Sequence, residues 1–347
     1  MTAINTTSLW RQQDFIAKNL TMEHTKAIGK NFTNQTYKIT PYYLKLTEQY
    51  PILRKIVIPS EEEFLVRDEE LADPIGDKKD EVVPYLIHKY PTKCLLYVSN
   101  SCASYCRYCV RKESVHTQSA KIGDVSSAWI KYIEEHKEIV EVILSGGDPL
   151  SLSTLKLSKL LYSINNIEHV KLIRIHTRYP IYNPYRLDGN LQMLLNSYNL
   201  HLVLHIVHPK EITKELTSRL EPLRCNIYNQ AVILKNVNDN VETIKELCLK
   251  CGENNIVPYY MYYPDLNKGN SHFRPIIEKV IDISQRLEGK LPGYLMPKFI
   301  IDIPGGHGKI PLDSSFVKKN KGPNCFNFPY LFKSPLTGEF YEYKEVI

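Results

Sequence analysis

Three cysteines that lie close together in the sequence carry its clearest chemical signal. Cys102, Cys106 and Cys109 form a C-x3-C-x2-C pattern. Thiolates are soft ligands that suit zinc or iron–sulfur clusters. Structural zinc normally takes a second cysteine or histidine pair, whereas three cysteines on a four-iron cluster leave one iron open to an outside ligand. The spacing therefore favours an iron–sulfur cluster, with zinc or three unrelated buried thiols as the alternatives.

A glycine pair follows the next predicted strand. Ser145-Gly-Gly-Asp148 comes directly after the apolar run 141–144, and glycines let the backbone approach a ligand closely. Such turns are common, so the motif alone indicates little. Its position one strand–helix unit after the cysteines favours a ligand site, because loops at the carboxyl ends of parallel strands build active sites.

A single lysine stands in a glycine-rich stretch near the end of the sequence. Lys309 directly follows Gly308 within the stretch 302–311. The stretch is not a Walker A loop, because the spacing differs and Ile310 occupies the position of the magnesium-binding Ser or Thr. A lysine in such a loop is either a solvated surface residue or, where its surroundings depress its pKa, a nucleophilic amine.

The other five cysteines look structural. Cys248 and Cys251 lie at helical spacing on one apolar face, so core packing is favoured over a metal site. Cys94 belongs to an apolar strand pattern, and Cys225 and Cys325 are isolated.

Length and composition are those of an ordinary globular protein. The 347 residues are 43% hydrophobic and 24% charged, so a packed core is expected and global disorder is excluded. The net charge of +6 comes from scattered basic residues, which argues against nucleic acid as a partner. No apolar stretch approaches the roughly 18 residues that span a bilayer, and the first residues do not read as a signal peptide. We therefore expect a cytoplasmic protein with reduced thiols.

Short β-rich runs alternate with amphipathic stretches from residue 94 onward. The runs cover 94–98, 141–144, 170–175, 200–207, 227–234 and 256–263. After the first, they start roughly 30 residues apart, which is the size of one strand–helix unit. The alternation predicts an α/β fold with parallel strands, and six units favour a partial (β/α)6 barrel over a doubly wound sheet.

Three consecutive segments are expected from this pattern. An N-terminal α-helical extension covers 1–93, with helices predicted over 8–30 and 41–50 and an acidic, turn-rich stretch over 60–79. The barrel covers 94–303. A C-terminal segment over 304–347 carries the lysine loop and the tail.

The cysteine spacing, with an aromatic residue before the last cysteine, resembles the radical S-adenosylmethionine superfamily. The resemblance implies that the three cysteines bind a 4Fe–4S cluster whose open iron holds S-adenosylmethionine, and that the reduced cluster cleaves it to a 5′-deoxyadenosyl radical. The glycine turn matches the superfamily's motif for the methionine amino group, which assigns S-adenosylmethionine binding to Ser145, Gly146, Gly147 and Asp148. The fold implied is the partial barrel of that superfamily.

Across nearly the whole chain the sequence is similar to the lysine 2,3-aminomutase family. The segments that match in order include 39–43, 57–60, 88–91, 174–178, 208–213, 229–230 and 258–260. The resemblance implies pyridoxal phosphate as a further cofactor, bound covalently to Lys309. Lys89 and Lys93 stand where the family has phosphate-binding arginines. A lysine at these positions keeps the positive charge but lacks the bidentate fork of arginine. The resemblance also implies that Tyr90 lies against the cofactor ring. By the same resemblance, His205 and Gln230 help to hold S-adenosylmethionine.

Three more positions match the family's substrate-binding residues. Arg111 would pair with the α-carboxylate of the substrate, and Asp265 and Asp302 would receive the ε-ammonium group of lysine. A bidentate guanidinium suits a carboxylate, and two carboxylates suit a cationic side chain. The alternative is that these aspartates cap turns or form surface ion pairs. The resemblance thus implies an isomerase that converts L-lysine to β-lysine by 1,2-amino migration, with an electron donor such as flavodoxin or ferredoxin.

Other functions stay open at this point. Within the family, the chain could make β-lysine for attachment to elongation factor P, or act on arginine or another basic amino acid. Outside it, the chain could be an epimerase or a structural protein whose thiols hold zinc. Asn240 stands where clostridial members of the family complete a zinc site with cysteine, and the tail holds only Cys325, so we expect no such zinc and leave a homo-oligomer open. His307 stands where the family more often has glycine, either as a loop residue or as a cofactor contact.

Overall fold

The computed structural model describes residues 38–115, 126–312, 317–319 and 330–346. The helix predicted over 8–30 and Cys325 lie outside these ranges. The chain divides into two compact units, each built from separate stretches of sequence. The first unit comprises the chain up to Glu61 together with Glu81–Leu204 and Lys210–Ile227. The second comprises Glu62–Asp80, His205–Pro209 and the chain from Tyr228 onward. These units differ from the three consecutive segments expected above, and that division remains a prediction.

The first unit contains a mixed sheet that starts with an antiparallel hairpin. Its strands, in sheet order, are β1 (Glu81–Val83), β2 (Leu86–Tyr90), β3 (Lys93–Ser99), β4 (Glu141–Gly146), β5 (Leu172–Thr177) and β6 (Leu200–Leu204). Strand β2 pairs antiparallel with β1 and β3, whereas β3 to β6 pair parallel with one another. The carboxyl ends of β3 and β4 therefore lie side by side, and the cysteines and the glycine pair follow these ends.

Helices of the first unit precede these strands, connect them or follow them. They are α1 (Pro41–Gln49), α2 (Arg54–Val57), α3 (Lys112–Val115), α4 (Ser126–Glu135), α5 (Thr154–Asn165), α6 (Tyr179–Tyr182), α7 (Gly189–Asn196) and α8 (Lys214–Leu220). Helix α5 shows why they form: Ser153 caps its first turn, and Leu157, Leu161 and Ile164 bury one face at intervals of three or four residues. The helix predicted over 41–50 is α1, which begins after Thr40 because the Thr40 side chain accepts a hydrogen bond from the Tyr43 amide.

The second unit carries the remaining strands. Strand β7 (Asn226–Val232) lies mostly in it, followed by β8 (Ile256–Tyr262), β9 (Lys298–Asp302) and β10 (Lys309–Pro311). Strand β8 pairs parallel with β9, and β10 returns antiparallel to β9. Helices α9 (Val241–Glu253) and α10 (Ile277–Leu287) belong to the same unit, as does a small antiparallel sheet of β11 (Val317–Lys319), β12 (Tyr330–Lys333) and β13 (Phe340–Tyr343).

The six predicted β-rich runs are all strands, β3 to β8, and each is followed by a helix, so the α/β prediction with six strand–helix units is confirmed. The prediction for Cys248 and Cys251 is also confirmed, because both thiols are buried on the apolar face of α9. Asn240 has a local role here: its side chain caps α9 by accepting a hydrogen bond from the Thr243 amide. Within the described ranges, no helix is both long and apolar enough to cross a membrane.

A buried ion pair links distant stretches of the second unit. Arg274 pairs with Glu70, and neither side chain is exposed to solvent. The carboxylate of Glu70 also accepts hydrogen bonds from the amides of Gly269 (2.8 Å) and Asn270 (3.2 Å). The guanidinium of Arg274 donates to the carbonyl oxygens of Val346 (2.6 Å) and Asp265 (3.1 Å). Both charges are therefore compensated inside the unit.

Arg274→Met should lower the free energy of unfolding by about 3–5 kcal/mol, because the carboxylate of Glu70 would stay buried without its cation. Urea unfolding followed by circular dichroism measures this change. Arg286→Met is the matched control: its partner Asp282 is more than half exposed, so its loss should cost at most about 0.5 kcal/mol. Equal stability of the Arg274→Met protein and the unmodified protein would contradict the expectation.

Candidate functional site

The three predicted cluster cysteines lie in a loop between β3 and α3 that other stretches of the first unit hold in place. The amide of Tyr105 donates to the carbonyl of Lys38 (2.9 Å), and the amide of Arg107 donates to that of Ile56 (2.8 Å). The ammonium group of Lys38 donates to the carbonyl of Cys102 (2.7 Å). Residues 38–56 therefore support the cysteine loop. The local sequence pattern of residues 38–56 did not predict this role.

The three thiols lie close enough to influence one another electrostatically. Burial raises the pKa of Cys102 well above its ordinary value, and negative charge at Asp148 and at the other two thiols adds to this shift. Burial likewise raises the pKa of Cys109 to about 11, with a contribution from Cys106. Thiols with such pKa values become thiolates when a metal supplies positive charge. The three thiols are therefore near neighbours in this loop, and thiolates are ligands that soft metals take.

The spacing of the three cysteines predicts an iron–sulfur cluster rather than a single ion. Among the described residues, no group of three or more His, Cys, Asp or Glu side chains converges so that it could hold one metal ion. A four-iron cluster distributes its thiolate ligands over separate irons.

The glycine turn at the end of β4 is joined to the start of the cysteine loop. The amide of Gly147 donates to the carbonyl of Ser99 (2.6 Å), and the amide of Asp148 donates to that of Ser101 (2.8 Å). A Cβ atom on Gly147 would lie 2.6 Å from the carbonyl oxygen of Ser101. Gly146 adopts a positive φ of 106°. The structure therefore brings two sequence motifs together, and glycine is required because two backbone segments touch there.

Asp148 holds this turn in place. Its carboxylate accepts hydrogen bonds from the Thr177 hydroxyl (2.7 Å) and from the amides of Leu150 (3.0 Å) and Arg178 (2.8 Å). Only 4% of the residue is exposed. Burial raises the pKa of Asp148 to about 6, although the hydrogen bonds oppose the shift. The side chain thus ties the end of β4 to the end of β5.

Arg111 lies beside the same turn. Its Nε donates to the hydroxyl of Tyr97 (2.6 Å), and its guanidinium lies 4.9 Å from the Tyr97 ring centre. An Nη atom lies 3.5 Å from the hydroxyl of Ser145. The structure therefore places a guanidinium next to the glycine turn, with Tyr97 fixing its orientation.

The hairpin of β2 and β3 carries the residues expected to bind a phosphate. Tyr90 and Lys93 are register partners across the hairpin, and the Lys93 ammonium lies 4.6 Å from the centre of the Tyr90 ring. Lys89 precedes Tyr90 on β2 and is half-buried. The hairpin thus places a cation against an aromatic ring.

Lys309 lies in the second unit, at the start of β10. Its register partner on β9 is Asp302, and the Lys309 ammonium lies 4.0 Å from an Asp302 carboxylate oxygen. The ammonium also donates to the hydroxyl of Tyr262 (2.7 Å) and lies 5.0 Å from the centre of that ring. Burial raises the pKa of Tyr262 to about 12, although the charge of Lys309 opposes the shift. Lys309 thus adjoins Asp302, which was expected to contact the substrate, and Tyr262, which sequence reasoning missed.

The glycines before Lys309 pack against the stretch 74–79. The amide of Gly305 donates to the carbonyl of Pro74 (2.9 Å). A Cβ atom on Gly306 would lie 2.8 Å from the side chain of Lys79 and 3.0 Å from the carbonyl of Ile75. The acidic, turn-rich stretch after residue 60 is therefore a support of the lysine loop.

His307 is held within this loop. Its ring stacks on Tyr341 with the ring centres 3.6 Å apart, and its carbonyl accepts a hydrogen bond from the hydroxyl of Ser334 (2.7 Å). These contacts match the first of the two expectations for His307, that of a loop residue.

Asp265 follows β8 in the same unit and is half-buried. Arg274 fixes its backbone carbonyl, as described above, and the negative charge of Asp265 adds to the burial that raises the pKa of Tyr343. Asp302, the other candidate aspartate, lies beside Lys309.

His205 and Gln230, the expected S-adenosylmethionine contacts, flank a backbone clamp in the second unit. The side chain of Asn229 accepts a hydrogen bond from the amide of Ile206 (2.8 Å) and donates to its carbonyl (3.0 Å). Asn229 thereby fixes the backbone next to both residues. No local sequence pattern predicts this role of Asn229, because the clamp joins residues 23 positions apart.

Comparisons with known proteins show which families and structures this chain is similar to. Residues 91–204 match the family model described as a 4Fe-4S single cluster domain. The chain is 38% identical over 290 residues to an L-lysine 2,3-aminomutase of Methanococcus maripaludis, which covers 80% of this chain and 66% of that protein. It is 35% identical over 308 residues to an L-lysine 2,3-aminomutase of Fusobacterium nucleatum, covering 86% of this chain and 72% of that protein. Among solved structures, a radical SAM methyltransferase from Sphaerobacter thermophilus matches with a TM-score of 0.46 and 14% identity, over 62% of this chain and 68% of that one.

Gly147→Ala should lower the free energy of unfolding by about 1–3 kcal/mol, because the added methyl group meets backbone that cannot move aside easily. The same substitution should weaken S-adenosylmethionine binding, which calorimetry on the cluster-loaded protein measures. Gly189→Ala is the control: a Cβ atom there meets nothing within 4 Å, and stability should change by no more than about 1 kcal/mol. If both variants behave alike, the close approach at Gly147 does not constrain the turn.

Proposed function

The chain belongs to the L-lysine 2,3-aminomutase family, and from that premise we propose that it converts L-lysine to β-lysine by moving the amino group from the α-carbon to the β-carbon. The observation that carries this proposal is the setting of Lys309. Its amine stands on a glycine loop between the hydroxyl of Tyr262 (2.7 Å) and the carboxylate of Asp302 (4.0 Å). The first unit supplies the cysteine loop and the glycine turn that the same reaction needs.

The family uses a 4Fe–4S cluster, S-adenosylmethionine and pyridoxal phosphate. When bound, the first two supply a carbon-centred radical, and the third supplies the conjugated system through which the amino group migrates. We assign the cluster to Cys102, Cys106 and Cys109, whose three thiols are near neighbours in one loop. S-adenosylmethionine is assigned to the turn from Ser145 to Asp148, with His205 and Gln230 as further contacts.

Lys309 is assigned as the residue that holds pyridoxal phosphate. A primary amine that binds an aldehyde must lose its proton, and a neighbouring hydroxyl can share that proton. Tyr262 is buried and accepts a hydrogen bond from the amine, so its hydroxyl is placed to share that proton. Asp302 stabilises the charged form of the amine when it is protonated. We assign the phosphate group to Lys89 and Lys93, and the face of the cofactor ring to Tyr90.

Charge decides the choice of substrate in this proposal. The guanidinium of Arg111 suits a carboxylate because it offers a planar set of donors, and Tyr97 holds it in one orientation. The carboxylates of Asp265 and Asp302 suit the ammonium group of a basic side chain and disfavour an acidic one. A basic α-amino acid satisfies both requirements.

We further propose that the protein works in the cytoplasm, receives electrons from a flavodoxin or ferredoxin, and can form a homo-oligomer. β-Lysine could serve as free product or be attached to elongation factor P.

Product analysis tests the proposal directly. The protein is reconstituted anaerobically with iron and sulfide, supplied with pyridoxal phosphate, S-adenosylmethionine and dithionite, and incubated with labelled L-lysine. We expect NMR to detect β-lysine. A parallel sample with arginine should give a smaller amount of product or none. Faster conversion of arginine would reassign the substrate. Cleavage of S-adenosylmethionine without any β-amino acid from either compound would refute aminomutation.

Lys309→Ala should abolish both β-lysine formation and covalent capture of pyridoxal phosphate, because the amine that holds the aldehyde is gone. Borohydride reduction followed by peptide mass spectrometry should find the cofactor on Lys309 of the unmodified protein and on no peptide of the variant. Lys298→Ala, at an exposed position on the neighbouring strand β9, is the control and should keep the adduct. An adduct that survives Lys309→Ala would place the cofactor elsewhere.

Asp302→Asn should raise KM for lysine by roughly 30-fold, since losing one partner of a desolvated charge pair costs about 2 kcal/mol or more. Cleavage of S-adenosylmethionine should remain measurable, which separates a loss of substrate binding from a loss of the cluster. Asp282→Asn, on the exposed face of α10, should leave KM unchanged. Unaltered lysine kinetics in Asp302→Asn would count against the assignment.

A further inference from the structure

A tyrosine hydroxyl contacts one of the three cysteine sulfur atoms. Tyr182 lies at the end of α6, and its hydroxyl is 2.9 Å from the sulfur of Cys106. Both residues belong to the first unit. No role described above uses this contact. We propose that Tyr182 is a positioning residue that donates a hydrogen bond to the Cys106 sulfur and thereby raises the reduction potential of the iron–sulfur cluster, an inference that rests on the ligand set assigned under the proposed function.

The direction of this hydrogen bond follows from the chemistry of the two groups. A cysteine that binds iron is a thiolate, which carries no proton and can only accept. A phenol carries its proton at neutral pH, since its ordinary pKa is about 10. Tyr182 is therefore the donor once the cluster is bound.

The ring of Tyr182 is fixed by its neighbours. It packs edge-on against Tyr43, with the ring centres 4.7 Å apart and the planes at 82°. The guanidinium of Arg178, which belongs to the same unit, lies 4.8 Å from the centre of the Tyr182 ring. The side chain of Thr40 donates a hydrogen bond to the Tyr182 carbonyl. Only 2% of Tyr182 is exposed, so little water competes for the hydroxyl and the bond acts at low local dielectric.

The positive charge beside the ring is compensated. Arg178 pairs with Glu211, whose side chain is fully buried, and Glu211 also accepts a hydrogen bond from the Tyr43 hydroxyl. Because this pair is close to neutral as a whole, its long-range field at the cluster is reduced. Within this network the hydroxyl of Tyr182 lies at hydrogen-bond distance from the sulfur, 2.9 Å, and the buried phenol of Tyr108 also acts electrostatically on Cys106.

The effect on the cluster has a definite sign. One-electron reduction of the cluster by an external reductant increases the negative charge on its sulfur ligands. A hydrogen bond to sulfur stabilises the reduced form more than the oxidised form, so the reduction potential rises. The proton stays on the phenol oxygen in both states, and the electron is transferred from the reductant to the cluster alone.

Tyr182→Phe tests the inference in the full chain reconstituted with iron and sulfide. The reduced cluster is followed by electron paramagnetic resonance during potentiometric titration with dithionite, in the absence of lysine. We expect the midpoint potential to shift to a more negative value. Tyr185→Phe is the matched control, because its ring packs beside Tyr42 rather than at a cysteine, and it should titrate like the unmodified protein. Equal midpoints for Tyr182→Phe and the unmodified protein, at equal iron content, would overturn the inference.

A second variant covers the case in which Tyr182→Phe does not retain the cluster. Incorporation of 3-fluorotyrosine at position 182 keeps the ring and the hydroxyl but makes the phenol a stronger donor. The midpoint should then shift to a more positive value, and no shift would overturn the inference. Iron content and the spectrum of the unmodified protein report separately on the cysteine ligands, and lysine turnover reports on the proposed reaction. Absence of a four-iron cluster in the unmodified protein would refute the ligand assignment and this inference with it.

Discussion

The loop that carries the three cysteines depends on hydrogen bonds made by other parts of the first unit. Between β3 and α3 the chain has neither helix nor strand, so its own backbone does little to hold three thiols in place. On one side, the carbonyl groups of Lys38 and Ile56 accept hydrogen bonds from amides of the loop. On the other side, amides of the glycine turn donate hydrogen bonds to carbonyl groups at the start of the loop. An unpaired buried amide is costly, so this pairing fixes the loop strongly. The helices before residue 60 and the turn after β4 are therefore both needed to hold the three thiols in place.

Sequence patterns predicted the elements and the chemical motifs better than the contacts among them. The strands β3 to β8 are recognisable because each is a short apolar run, and α9 is recognisable because Ile244, Leu247, Cys248 and Cys251 repeat at helical spacing. The cysteine and glycine motifs are short and local, so they are visible without a structure. The hairpin of β1 and β2 was not predicted, since its strands of three and five residues are too short to show a period.

The missed residues of the candidate site share one property: their partners lie far away in sequence. Tyr182 is 76 positions from Cys106, and Lys38 is 64 positions from Cys102. Tyr262 looked like any aromatic residue of a buried strand, and only the return of β10 along β9 brings Lys309 to it. The two compact units are discontinuous in sequence for the same reason, because the stretch Glu62–Asp80 joins residues that follow it by about 200 positions. Periodicity describes neighbours within one element and holds no information about such pairings.

The packing of the glycine loop on residues 74–79 limits how this protein can be shortened. A chain that began at β1 would retain the cysteines, Arg111, both candidate aspartates and Lys309. It would nevertheless lose the Pro74 carbonyl that receives the Gly305 amide and the Glu70 carboxylate that neutralises Arg274. Truncation by motif content alone would therefore remove the brace of the lysine loop while leaving the cysteines, the glycine turn and Lys309 in the chain, and a minimal version of the enzyme has to begin upstream of Lys38.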